Sequence, residues 1–227
     1  MTINQTKNPA LYLWIISISL LIMAVAGFGG VAILNNLLVA SQEQSSQATQ
    51  LLLFQAIQVW LLVFITDALV SWGLYQWLKK LNQQWALIST LLRLVYTVIL
   101  GYALSYLVLA WLDWGQIESR EMLIQWIQLP VAAFQKAWSG GLIIFGGHLL
   151  ALGYLCSQHQ GIPRMLVFLI TLAGLGYVVL HTMPLVGAGF GEYKMWLEIF
   201  FIPAMILGEL GLAIWILIRR KQLIAAY

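Results

Sequence analysis

Asp67, Arg93, His148 and Glu209 stand in stretches of the sequence that are otherwise apolar. A guanidinium, an imidazole and two carboxylates can pair with one another, hold or pass a proton, or grip the charged end of a ligand. Each of the four falls in a separate apolar segment. Counted at about 1.5 Å of helical rise per residue from the nearest cytoplasmic helix end, they lie at depths of about 18, 16, 14 and 15 Å respectively. That shared level, near the middle of a bilayer, predicts that the four converge inside the protein, since a charge facing hydrocarbon costs about 3 kcal/mol or more. Two carboxylates then face one permanent cation and one imidazole, and neutrality needs a proton. Either His148 is protonated or one of Asp67 and Glu209 is a neutral acid. Arg93 could hold Asp67 bidentately, or accept a carboxylate or phosphate from a ligand.

Two readings of this cluster stay open. In one it fixes helix register and nothing more. In the other it binds: Arg93 and His148 receive a small anionic or amphiphilic ligand, while Asp67 and Glu209 tune charge or carry a proton. An enzymatic rival is a membrane-embedded lipid hydrolase or transferase with His148 as base and a carboxylate as partner. Non-enzymatic binding or transport is the leading expectation, with a structural subunit or scaffold as the further alternative. No Gly-x-Ser-x-Gly, His-Glu-x-x-His or phosphate-loop pattern occurs in the sequence.

A second level is expected near the opposite surface from the termini, where His181 closes the fifth span and Glu198 opens the sixth. Glu198 and Glu209 are eleven residues apart, which at about 100° per residue returns to nearly the same helical face. A polar line could therefore join them past Pro203, or Glu198 could simply be solvated. His148, His159 and His181 fall at three different depths, so neither a bis-histidine haem nor a multi-histidine zinc site is expected, and no metal or cofactor is assigned. Cys156 is the single cysteine and forms no internal disulfide. Trp60 and Trp72, both within the second span, are candidates to line a pocket or to fill core.

The elements that must position these residues follow from composition. Of 227 residues, 62% are hydrophobic and 8% charged, with a formal net charge of +3. Such a chain is neither a soluble enzyme nor a nucleic-acid-binding domain nor a disordered segment. At about 20 apolar residues per crossing it forms one all-α domain over residues 1–227 with six transmembrane helices, at about 11–38, 51–78, 85–111, 137–156, 164–182 and 195–218. The first span is too long for a signal-peptide core and is expected to be retained. The segment from Asp113 to Lys136, with Glu118, Arg120 and Glu121 among apolar residues, is expected to lie along the outer surface as an amphipathic stretch ended by Pro130. A Gly-rich link, Gly187 to Gly191, leads into the sixth span, and Ser139-Gly140-Gly141 and Gly146-Gly147 suit close helix packing.

Basic residues set the direction. Lys7, Lys79, Lys80, Arg164, Arg219, Arg220 and Lys221 fall on one side, against Arg120, Lys136 and Lys194 on the other. This bias predicts cytoplasmic termini, and tryptophans collect near both boundaries as aromatic belts. The expected partners are membrane lipids and a small-molecule ligand, with no nucleic acid; a homo-oligomer or a place in a membrane complex stays open.

The run from Phe134 to Leu155, containing Trp138-Ser139-Gly140-Gly141 and Gly146-Gly147-His148-Leu149-Leu150, is followed by Gly161-Ile162-Pro163-Arg164 and Ala173-Gly174-Leu175-Gly176-Tyr177. Together with Asp67, Leu92-Arg93-Leu94 and Gly208-Glu209-Leu210, these elements resemble a bacterial membrane family catalogued as domain of unknown function 4386. The likeness covers most of the chain from the second helix onward. It implies an uncharacterised multi-pass protein of the bacterial inner membrane, and supplies no substrate, cofactor or reaction.

Overall fold

A computed structural model describes residues 9–116, 119–186 and 191–225. Six long helices follow one another: α1 (Pro9–Glu43), α2 (Ser46–Leu78), α3 (Gln83–Leu112), α4 (Arg120–Ser157), α5 (Arg164–Val186) and α6 (Gly191–Ala225), with one 3-10 turn at Trp114–Gln116. All six are long and apolar enough to cross a membrane, so the chain is a multi-pass membrane protein. Helix starts are set by small polar residues: Ser45, Asn82 and Ser119 each accept a hydrogen bond from the backbone N–H three residues on. The tight α1–α2 turn is tied by Thr49, whose hydroxyl reaches the Ala40 carbonyl at 3.3 Å. Lys7, Glu118 and positions 187–190 of the Gly-rich link lie outside the described residues.

Helices adjacent in sequence pack side by side, and α1 closes the ring against α6 while also touching α4. α3 therefore stands between α2 and α4, and α5 stands between α4 and α6. Close approach between α4 and α5 depends on facing glycines: a Cβ on Gly146 would lie 2.7 Å from the Gly174 carbonyl oxygen. The expected small-residue packing is thus realised at Gly146, and at Gly141 beside Ile99, whereas a Cβ on Gly140 would meet open space.

One boundary differs from the sequence reading. The stretch before residue 137 is not a separate surface segment, and Pro130 does not end it, because α4 runs unbroken through that proline. Its amphipathic character is real. Leu123, Ile127, Val131 and Phe134, spaced along one helical face, are buried, while Met122 and Leu129 are exposed. That buried face continues across Pro130, and Trp126 donates its indole N–H to the Ala110 carbonyl of α3 at 3.0 Å. Packing therefore outweighs the one backbone hydrogen bond that proline removes. Pro184 and Pro203 likewise lie inside α5 and α6, so His181 sits within α5 rather than at its end.

Candidate functional site

Three of the four residues expected at mid-membrane meet. Arg93 on α3 places Nη2 2.6 Å from Asp67 Oδ1 on α2 and Nη1 3.1 Å from His148 Nε2 on α4. The order of the ring explains this, since a side chain on the middle helix can reach both neighbours. All three are buried, at 0% exposure for Asp67 and 1% for Arg93 and His148. The contact with Oδ1 is a charge contact rather than an aligned hydrogen bond. Asp67 Oδ2 accepts from the Thr97 hydroxyl, which also lies 2.9 Å from the Arg93 carbonyl, and Ser71 bonds the Asp67 carbonyl at 2.9 Å. The guanidinium also donates to Met23 Sδ of α1 at 3.4 Å and covers the Phe145 ring at 5.1 Å.

The hydrogen bonds assign the imidazole. A guanidinium can only donate, so His148 Nε2 accepts and the ring proton sits on Nδ1, from where it reaches the Ser89 carbonyl at 2.9 Å. In this arrangement Asp67 and Arg93 balance one another, and His148 adds no charge.

Glu209 stands apart. It lies on α6 and pairs with none of the three, although Met23 and Phe145, which touch the guanidinium, line the cavity beside it. Its partner is Tyr177 of α5, whose hydroxyl donates to Oε1 over a long 3.4 Å. Its second oxygen, Oε2, is buried without a hydrogen-bond partner, and no ion pair among the described residues involves Glu209. Beside it lies a cavity of about 310 Å³ to which every helix contributes: Met23 from α1, Trp60 from α2, Tyr96 from α3, Trp138 and Phe145 from α4, Tyr177 from α5 and Glu209 from α6. Neither Arg93 nor His148 lines it. Two further donors on its wall are open. Tyr96 accepts from Trp138 Nε1 at 3.2 Å, which leaves its own hydroxyl proton without an acceptor among the described residues, and the buried Trp60 Nε1 has no partner. Phe28 and Val31 of α1 and Ile202 of α6 line the same cavity and are 59%, 39% and 42% exposed, so its mouth opens sideways between α1 and α6.

The second level is wired differently from the expected line. Glu198 is partly exposed and faces Lys194 at 3.7 Å, one turn away on α6. His181 instead approaches Glu209 through α5: its Nδ1 lies 2.8 Å from Ser139 Oγ, and its ring stacks on Tyr177 with 6.1 Å between centroids and 17° between planes. Trp60 is core and cavity wall at once, whereas Trp72 is 43% exposed and packs edge-on against Tyr12. Among the described residues no three His, Cys, Asp or Glu side chains are grouped closely enough to hold a metal.

Sequence reasoning missed Ser89, Thr97, Tyr96 and Tyr177. A signal existed for the first two, because Ser89, Arg93 and Thr97 follow at four-residue spacing and share one helical face. No such spacing singles out Tyr177, one aromatic among many.

The family described as Domain of unknown function (DUF4386) matches residues 15–219, and the chain belongs to it. The match takes in most of α1, where no motif was legible. An uncharacterized protein of Archaeoglobus fulgidus is 26% identical over 162 residues, which cover 71% of this chain and 82% of that relative. No solved structure matches.

Proposed function

We propose that this member of the DUF4386 family binds, and moves within or across the membrane, a small amphiphilic molecule that enters its cavity sideways from the bilayer. The observation that carries the reading is the cavity itself: all six helices contribute to it, its mouth is apolar, and Glu209 is its polar end. Its volume lies at the low end of the range for ligand pockets, about 300–1,000 Å³. A lateral mouth between exposed apolar residues favours a ligand dissolved in lipid over one dissolved in water.

The buried ion pair serves a different role in this proposal. Asp67, Arg93 and His148 are engaged with one another and with Thr97 and Ser89, so they hold α2, α3 and α4 in register, and because neither Arg93 nor His148 lines the cavity an anionic ligand there would meet no cation. Glu209 is then the group that senses ligand or proton. The bias of seven basic residues against three supports a cell-membrane protein with cytoplasmic termini.

Gly27 supplies the test. It lines the cavity, and a Cβ there would meet nothing within 4 Å, so Gly27→Leu adds bulk at the cavity wall from a point where the backbone has room for a side chain. A bromine-tipped fatty alcohol should quench the fluorescence of the cavity tryptophans Trp60 and Trp138 saturably in vesicles holding native protein, and Gly27→Leu should abolish the saturable part while the protein stays folded. Quenching that is linear with probe, or equal in the two proteins, removes the proposal.

A further inference from the structure

Resting on that reading of the cavity, we infer that the polar end of the ligand is a protonated amine, which Glu209 binds in exchange for a proton. Charge balance at this depth is the argument. Among the described residues Arg93 is the one buried permanent cation, and Asp67 faces it at 2.6 Å. His148 accepts from Arg93 and so is not a second cation. Tyr96, Tyr177 and His181, the other titratable groups near the cavity or packed on its wall, form no ion pair with Glu209. The Glu209 carboxyl therefore needs either a proton of its own or a cation beside it, because a lone charge at this depth is expensive.

The surroundings choose between cations. Oε2 is buried and unpartnered, a ready acceptor for an N–H donor. The walls are the aromatic rings of Trp60, Tyr96, Trp138, Phe145 and Tyr177, and an ammonium is attracted to ring faces. No group of three metal-ligating side chains competes for a bare metal ion among the described residues. An anionic head would meet a carboxylate with no open cation, and a zwitterionic head would leave its phosphate unmatched. The exchange balances: an alkylammonium and the neutral Glu209 acid give an ammonium–carboxylate pair plus one proton, which passes to water. No bond other than O–H is broken.

Three bromine-tipped probes of equal chain length, an alkylamine, an alcohol and a carboxylate, are titrated into phosphatidylcholine vesicles with native protein, Glu209→Gln or Gly27→Leu. Protein-free vesicles correct for partitioning. The amine should bind native protein about tenfold or more tighter than the alcohol, as expected of one buried charge-assisted contact. Glu209→Gln should erase that preference while keeping alcohol binding, and native protein should release one proton per amine bound, read with a pH dye in weak buffer. That proton readout needs no variant and so stands even if Glu209→Gln misfolds. Amine and alcohol binding equally, the carboxylate binding best, an amine preference that survives in Glu209→Gln, or amine binding without proton release each overturns the amine assignment but leaves the cavity reading intact. Failure of all three probes to bind overturns both. Competition by added sphingosine, a lipid whose head is an amine without phosphate, assigns the ammonium to a lipid, and its absence assigns it to a free amine.

Discussion

The two halves of the ring treat buried polar groups in opposite ways. On the α2–α3–α4 side, Asp67, Arg93 and His148 form a chain in which each charged or titratable group faces a partner from the next helix, with Thr97, Ser89 and Ser71 occupying further sites. On the α5–α6 side, Glu209 keeps one distant hydrogen bond and one unpartnered oxygen beside a cavity. The ion-pair side still leaves Asp67 Oδ1 and Arg93 Nε without a hydrogen bond, but each of its residues is tied to a neighbouring helix, which specifies a packing. The open oxygen of Glu209 instead borders a cavity where a ligand or proton can meet it. Side-chain type is similar in the two halves, although Glu209 is partly buried where Asp67, Arg93 and His148 are fully so. Access to the cavity separates candidate site from scaffold.

Substitution should expose that difference most strongly at the ion pair. Arg93→Ala leaves the Asp67 carboxylate without its cation and removes a donor from His148, a loss of about 3–5 kcal/mol for one partner of a buried pair. Little folded protein should be recovered, and what remains should unfold well below native protein in a detergent melting assay. Native-like melting of Arg93→Ala would place the scaffold elsewhere and dissolve the contrast between the halves.

Glu209→Gln and Tyr177→Phe should behave in the opposite way. The only hydrogen bond either breaks is long, so stability should change by no more than about 1 kcal/mol in the same assay. A large destabilisation of both variants would show that the α5–α6 half is a second scaffold, and the cavity would lose its claim to be a site.

Much of this was legible in the sequence, for a definite reason. Hydrocarbon forces long apolar helices and isolates charges, so the six apolar helices, and the placing of Asp67, Arg93, His148 and Glu209 on four of them, could be read from spacing alone. Depth gives one coordinate only. Whether Glu209 faces Arg93 or Tyr177 depends on the order of helices around the ring and on the rotation of each, and six helices of weak amphipathicity do not reveal those. Hence Asp67, Arg93 and His148 meet as expected, while Glu209 at the same level joins another neighbourhood. Pro130 misled for a related reason: its local preference is to stop a helix, but Leu123, Ile127, Val131 and Phe134 carry the buried face straight past it. The link from His181 through Tyr177 to Glu209 was out of reach because it runs by ring stacking, which leaves no spacing signature between helices.

The smallest expected effect comes from a third aromatic setting that has no carboxylate, and it serves as a control for the cavity. His159, in the α4–α5 turn, packs between Trp77 and Trp215 with ring centroids 5.8 and 6.3 Å away. Burial among these side chains lowers the affinity of its imidazole for a proton below the ordinary value. Its Nδ1 also accepts from the Gly161 backbone N–H at 3.1 Å, a bond that protonation of that nitrogen would remove. The unfolded chain therefore binds the proton more readily than the folded one. Stability from this group is fully present above the unfolded value of about 6.5 and declines as pH falls from there through the lower folded value. Because His159 is only partly buried, solvent screening keeps the change small, about one or two degrees of melting temperature between about pH 8 and about pH 5. His159→Gln should flatten that dependence and leave amine-linked proton release at Glu209 untouched. If His159→Gln abolished the proton release instead, the released proton would belong to the α4–α5 turn, and aromatic walls rather than the lone carboxylate would be what the two sites have in common.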